Sequence, residues 1–417
     1  MASHLKDCLR MQRLYRTLRF PVSEVQTLIR EARWDQVARA LSALPKEVPL
    51  VSQPEWTGIV DSVLSQPTEG MHAVFPSMLI TSASLGFTLC DRQKRLISRN
   101  LKPVGAHMSE FDKIVFLIGA SQLGLRTGET VDFAHGVLSD LKNSLIPEKL
   151  LVPLMLAVAN LGLSYGTEKL VPRLAVERLS PHELANTALA ILTSRAFPIA
   201  AIERVLDAAF LSAEKFNPQD ALSLTHSLCG LEVFRPDLIR TLLNQISTLS
   251  SIDPDESKLL KQIVLSLFLD DKASELLASL SPVLLTRIDK LLDWNLQEPS
   301  RNLPGDVVGE ISEILQEHSY NANITPVPKL PDWSRNHAQT VALNRFYRSD
   351  VEADENLFIH IDDETFPDLD EGPIDPFLQL KHLQVRQAGA KLVWVRPAVW
   401  EDLNGEEKVG FIKGAWK

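Results

Sequence analysis

The sequence predicts a mainly α fold: an α-helical repeat solenoid of 34 to 38-residue helix pairs, followed by a small α/β domain. Three observations carry this. Five segments resemble one another at a near-constant period, strand-forming runs are almost lacking over the first three hundred residues, and the last sixty read strand, helix, strand. Composition agrees, since 45% of the 417 residues are hydrophobic and 23% charged, enough for a large core. Collagen-like, disordered and disulfide-scaffold classes are excluded. The three cysteines, Cys8, Cys90 and Cys229, make no CxxC pair and read as small apolar helix residues.

Residues 1–20 form a basic amphipathic segment. At about 100° per residue, Lys6, Arg10, Arg13 and Arg16 share one side of a helix, and Met11, Leu14, Tyr15 and Leu18 share the other. With Asp7 as its one acid, the segment has the pattern of an Arg-rich organelle-import signal.

Residues 21–318 hold the repeats. The five similar segments end at Leu125, Leu163, Phe197, Phe234 and Leu269, spaced by 38, 34, 37 and 35 residues. Each opens on a helix-start signal. Ser180, Asn217 and Asp253 are good N-caps, Pro181, Pro218 and Pro254 suit the first turn, and Glu183, Asp220 and Glu256 complete capping-box or dipole-favourable positions. A Leu- and Ala-rich helix follows, then a second helix such as 199–213. One such pair cannot bury its apolar faces alone, so neighbours are expected to stack on a continuous core, with a last helix, 306–317, capping the array. The longest apolar run, Leu150 to Leu163, is interrupted by Pro153 and Asn160 and too short for a bilayer, so no membrane insertion is expected. His135, His182 and His226 fall one per repeat and read as packing residues, with no metal expected.

Residues 319–355 read as a Pro-rich linker, marked by Pro326, Pro328 and Pro331, with a short helix near 338–347. In residues 356–417, Leu357-Phe-Ile-His-Ile is an alternating strand, Asp375-Pro376 opens a helix that Gly389 closes, and Lys391 to Arg396 is a second strand. Strand, crossover helix and strand imply a parallel pair. This module is expected to fold on its own, around Trp400, and Trp394 and Trp400 read as core rather than base-stacking platforms.

The net charge of −10 hides a gradient. Residues 1–200 have 22 Lys+Arg against 18 Asp+Glu, and residues 201–417 have 21 against 35. Ten acids fall between Glu352 and Asp375 with no Lys or Arg among them. A chain of this sign does not coat nucleic acid through its global field, so any RNA contact must be local.

The string Phe358-Ile-His-Ile-Asp362, with Leu380-Lys381, Arg386, Gly389, Val393-Trp-Val395, Trp400, Leu403, Lys408 and Phe411-Ile412, resembles the C-terminal RAP domain of organellar RNA-binding proteins. That family carries a helical-repeat array of similar period ahead of its RAP domain. The resemblance implies a restriction-endonuclease-like fold, a mitochondrial matrix location and RNA binding, in transcript handling or as a ribosomal component that stabilises rRNA. It also invites a nuclease reading, in which a first strand supplies a metal-binding Asp and the next a carboxylate and a lysine. Asp362 stands at the first position, but Asp363 replaces the usual Gly, His360 stands where active relatives often have Glu, and Val393-Trp-Val395 offers no Glu-x-Lys. No catalysis is expected. Other signatures fail too: Gly119-Ala-Ser-Gln-Leu123 lacks the last Gly of a nucleophile elbow, and His182-Glu-Leu-Ala-Asn186 lacks the second His of a zincin.

One helix, Asp91 to Lys102, is the best RNA-contact candidate. Arg92, Arg95, Arg99 and Lys102 follow a 3-4-3 spacing and so fall on one stripe, suited to successive phosphates. Lys381, Arg386, Lys391 and Arg396 are weaker candidates in the C-terminal module. The sequence reading is therefore a non-catalytic mitochondrial RNA-binding protein, ribosome-associated or a ribosomal subunit, with rRNA and the other proteins of a large assembly as partners. It needs no cofactor and no small-molecule substrate. The alternative is a solenoid scaffold that grips only proteins within a mitochondrial complex.

Overall fold

The structure, a computed structural model, describes residues 22–42, 52–66, 70–141, 146–194, 199–269, 276, 279–292, 305–317, 357–361, 375–388 and 390–414. The chain divides into two compact units, Met1–Leu174 and Ala175–Lys417. It is mainly helical, with one small two-stranded sheet.

The first unit holds α1 (Val22–Arg30), α2 (Trp34–Ser42), α3 (Gln53–Leu64), α4 (Val74–Ser84), α5 (Asp91–Gly105), α6 (Glu110–Gln122), α7 (Gly128–Asp140), α8 (Glu148–Asn160) and α9 (Ser164–Leu170). They pack in two layers. In one, α2, α4, α6 and α8 each lie against the next; in the other, α1, α3, α5 and α7 do the same. In the second unit, α10 (Pro181–Ser194), α12 (Pro218–Gly230) and α14 (Pro254–Leu269) form one layer, while α11 (Ile199–Leu211) packs on α10, α13 (Pro236–Ile246) on α12, and α15 (Pro282–Leu291) on α13. In sequence, α4, α6, α8, α10, α12 and α14 start 36, 38, 33, 37 and 36 residues apart.

Local chemistry sets both ends of these helices. The side chains of Ser109 and Asn217 accept from the backbone N–H of Asp112 and Asp220, and Ser180 and Asp253 accept likewise from Glu183 and Glu256. At the other end, Gly86, Gly124 and Gly162 turn left-handed after α4, α6 and α8, with φ of 67°, 62° and 79°. The next residue's N–H then bonds back over the turn, Phe87 to Ser82, Leu125 to Ala120 and Leu163 to Val158. This satisfies carbonyls the helix leaves open and returns an apolar residue to the core. The same turn after α12 uses Glu232, at φ 55°. First-layer helices also approach closely: a Cβ on Gly119 of α6 would stand 2.8 Å from the Ile80 backbone N of α4.

The C-terminal module lies in the second unit. β1 (Leu357–Ile361) pairs in parallel with β2 (Lys391–Val395), Leu357 opposite Lys391 and Ile361 opposite Val395. Between them in sequence runs α17 (Pro376–Gln387), capped by the Asp375 carboxylate on the Phe377 N–H; α18 (Pro397–Asp402) and α19 (Gly405–Gly414) follow β2. All five residues of β1 are buried because both faces of the sheet are covered. Ile359, Ile361, Val393 and Val395 pack with Trp400 and Ile412, and also with Val307 and Ile311 of α16 (Gly305–Glu317). On the other face, Phe358 and Leu392 pack with Val385 of α17 and Leu265 of α14.

Two expectations are corrected. The helix at 305–317, expected to cap the repeats, supplies part of the core of the C-terminal module. Nor is that module separate, because α17 lies against α10, α12 and α14. Gln379 donates to the Thr193 carbonyl, Gln262 to the Phe377 carbonyl, and the Gln384 amide to both the Gln262 carbonyl and Ser266 Oγ. The physical reason is burial on two sides: a crossover helix with one face on the sheet still had an apolar, glutamine-bearing face to cover. The basic segment 1–20, the linker 319–355, Asp362 with the acidic stretch to 374, and Gly389 lie outside the described residues.

Candidate nucleic-acid interface

α5 is held by one face and leaves the other in water. Gln93, Ile97, Ser98, Leu101 and Val104 are buried against α3 and α7, while Arg92, Arg95, Arg99 and Lys102 are exposed. The helix start is fixed by Gln93, which accepts from the Cys90 N–H and donates to Asp61 of α3 at 3.0 Å. Ser98 meets Thr127, the N-cap of α7, at 2.9 Å. At 1.5 Å rise per residue the four cations follow one another about 4.5 to 6 Å apart along a ridge. The ridge is basic, but its neighbours are not. Asp61 approaches Arg92 at 3.9 Å, and α7 exposes Glu129, Asp132 and Asp140. The positive potential is thus narrow, a line rather than a field.

The four C-terminal candidates do not form one patch. Lys381 is 4% exposed, because α17 is covered on two sides; it is corrected from a candidate RNA contact to a buried residue. Arg386 and Lys391 are exposed at the end of α17 and the start of β2. Arg396 lies at the opposite end of β2, roughly 16 Å away at strand rise, with its guanidinium 5.3 Å from the Trp394 ring centroid.

The histidines read as packing residues are each engaged locally. His135 stacks on Tyr165 and hydrogen-bonds its hydroxyl, His182 bonds Asp220 at 2.8 Å and Asn186 at 3.0 Å, and His226 is buried against Gln262 at 2.6 Å. Because Gln262 donates its amide to Phe377, its Oε1 accepts, and His226 Nε2 carries the proton. Burial, the largest influence, pushes the His226 pKa below the ordinary value; the Gln262 bond and the Asp375 charge oppose it. His360 is buried with its ring against that of His382, 5.1 Å between centroids. Among the described residues no three metal-ligating side chains converge, and no helix is long and apolar enough to cross a membrane.

Sequence reasoning missed Gln262, Gln379 and Gln384, the polar contacts that seat α17. Their signal was available: glutamines at 379 and 384 stand on the apolar side of an amphipathic helix, where only a buried acceptor justifies them. It also grouped Trp394 with Trp400 as core. Trp400 is 1% exposed, but Trp394 is only half-buried. No known family model matches the chain, and no match is found among curated proteins.

Proposed function

We propose that this chain is a non-catalytic RNA-binding protein, an α-helical repeat solenoid with a RAP-like C-terminal domain, acting in the mitochondrial matrix as part of, or attached to, the ribosome. The single observation that carries RNA binding is the α5 ridge, where four cations stand exposed in helical register. Exposed, regularly spaced guanidinium groups suit a phosphate backbone better than they suit a small ligand. The two-layer stacking and the strand-helix-strand module support the family resemblance at the level of layout. The Arg-rich pattern of residues 1–20 supports import. The acids beside α5 favour a fixed site on one RNA over scanning of many, because a narrow positive line attracts little from a distance.

Ultraviolet crosslinking of the protein in intact mitochondria, followed by denaturing purification, tests this. RNA adducts that fall when Arg92, Arg95, Arg99 and Lys102 are reversed to Glu support the reading. Adducts at background, with proteins alone recovered, would establish the protein-only scaffold in its place.

A further inference from the structure

Within Ala175–Lys417, α17 shows what kind of element settles across three stacked helices of this chain. Counted from the first residue of each helix, the ninth of α12 and of α14 are His226 and Gln262, and the thirteenth of α10 and of α14 are Thr193 and Ser266. All four are buried where α17 packs on those helices. The polar contacts are made by uncharged amides: Gln379 donates to the Thr193 carbonyl, and Gln384 to the Gln262 carbonyl and Ser266 Oγ. Beside them, Phe377 and Val385 pack with Leu265.

In Met1–Leu174 the same positions are open. The ninth and thirteenth residues of α8 are Leu156 and Asn160, and those of α6 are Ile118 and Gln122. Ile80 and Ser84 of α4 stand at the same distances before its closing Gly86 as Ile118 and Gln122 do before Gly124. Gln122 and Ser84 are exposed, and Ile80, Leu156 and Asn160 are half-buried; on the α6 stripe Phe111 is 54% exposed. Because α4, α6 and α8 lie side by side, these residues form two rows that cross all three helices. One row is apolar, Ile80, Ile118 and Leu156. The other, one helical turn or about 6 Å further on, is polar and uncharged, Ser84, Gln122 and Asn160.

The rows specify an occupant. Neither offers a cation to a phosphate, and a charged side chain laid on them would be desolvated without an opposite charge. An amphipathic helix whose buried side mixes apolar residues with amides satisfies both rows at once, as α17 does across α10, α12 and α14. We infer that α4, α6 and α8 form a docking face for such a helix, supplied by a partner protein. This face is separate from the α5 ridge, which belongs to the other layer of the same unit.

The test uses the full-length protein and, as probe, a fluorescein-labelled peptide of residues 375–388 that carries a diazirine and is stapled on the side away from Gln379 and Gln384. Fluorescence anisotropy should show saturable binding, and mass mapping of photoadducts should place the peptide on residues 74–84, 110–122 and 148–160. Ser84→Lys and Gln122→Lys, both at exposed sites near helix C-termini, should leave circular-dichroism melting unchanged and together weaken binding roughly tenfold or more, since the peptide would bury their charges. A peptide with Gln379→Glu and Gln384→Glu should lose affinity for the wild type in the same way. Absence of binding, adducts confined to residues 181–269, or an affinity that both lysines leave unchanged would overturn the assignment. Displacement of the peptide by a mixed-sequence RNA oligonucleotide would overturn it in favour of RNA, and wild-type dimers that the peptide dissociates would overturn it in favour of a second copy of this chain.

Discussion

Glu232 and His226 stand close in sequence on α12 and its end, and each holds a state its residue type resists. Glu232 ends α12 in the left-handed conformation, where the equivalent turns after α4, α6 and α8 use glycine. A side chain there costs on the order of 1 kcal/mol, and the compensation visible is one exposed bond from Gln387 to its carboxylate. Glu232→Gly is therefore expected to raise stability by about 0.5 to 1 kcal/mol, read as a higher urea midpoint; a lower midpoint would mean that the Gln387 bond outweighs the strain. His226 is neutral because it is buried. Its folded pKa lies below the unfolded value of about 6.5, so as pH falls through that value the unfolded chain takes up a proton that the folded one refuses. Stability present above about pH 6.5 is lost on acidification. His226→Gln keeps a donor toward Gln262 and removes the titration. The wild type should thus lose more urea stability between pH 7 and pH 5 than the variant, and equal losses would show that this histidine protonates as readily folded as unfolded.

Among the elements, α5 was legible in the sequence because everything that defines it is local. The cations at 92, 95, 99 and 102, with Leu101 opposite, follow from helical periodicity alone, whereas the cap at Cys90 and the buried face at 97, 101 and 104 were seen in the structure. The N-caps at Ser109, Ser180, Asn217 and Asp253 were legible for the same reason, as were the two strands and their parallel sense. What sequence could not supply was which distant faces meet. The packing of acid-bearing α7 on α5 and the seat of α17 on α10, α12 and α14 depend on how helices stack, and periodicity says which face of a helix is buried but not against what. Lys381 shows the consequence, since its charge marked it as a surface residue and its two-sided helix buries it. For α5 this changes the expected size of an effect rather than its sign. Reversing Arg92, Arg95, Arg99 and Lys102 should reduce the salt slope of RNA binding by up to about 4, and by less where Asp61 already offsets Arg92. Filter binding across a salt series reads the slope; one that does not change removes α5 from the interface.

At the scale of the whole molecule, the two compact units meet a disturbance differently, and Trp400 is where this can be read. Its ring fills the core on one face of the two-stranded sheet, and its indole N–H donates to Glu310 of α16 at 2.8 Å. Lys408 bonds the same carboxylate at 2.6 Å, and these two bonds, Lys408 first, hold the Glu310 pKa below the usual carboxylate range. Truncating a buried Trp costs about 3 to 5 kcal/mol, a large part of a domain's stability. An autonomous module of some sixty residues would unfold alone. Here the sheet's other face rests on α17, whose glutamines hydrogen-bond to Thr193, Gln262 and Ser266 in the helices beneath. Loss of the sheet would strip α10, α12 and α14 of that cover and leave buried polar groups without partners, a cost of about 1 to 3 kcal/mol each. Trp400→Ala is therefore expected to loosen Ala175–Lys417 as one cooperative body, while Met1–Leu174, which has its own stacked core, keeps its protection. Limited proteolysis with mass mapping should find new cleavage within 181–269 as well as beyond 356. Cleavage restricted to the C-terminal side of residue 318 would show instead that the contacts of α17 are too weak to couple the module to the repeats, and that the sheet and its helices stand or fall by themselves.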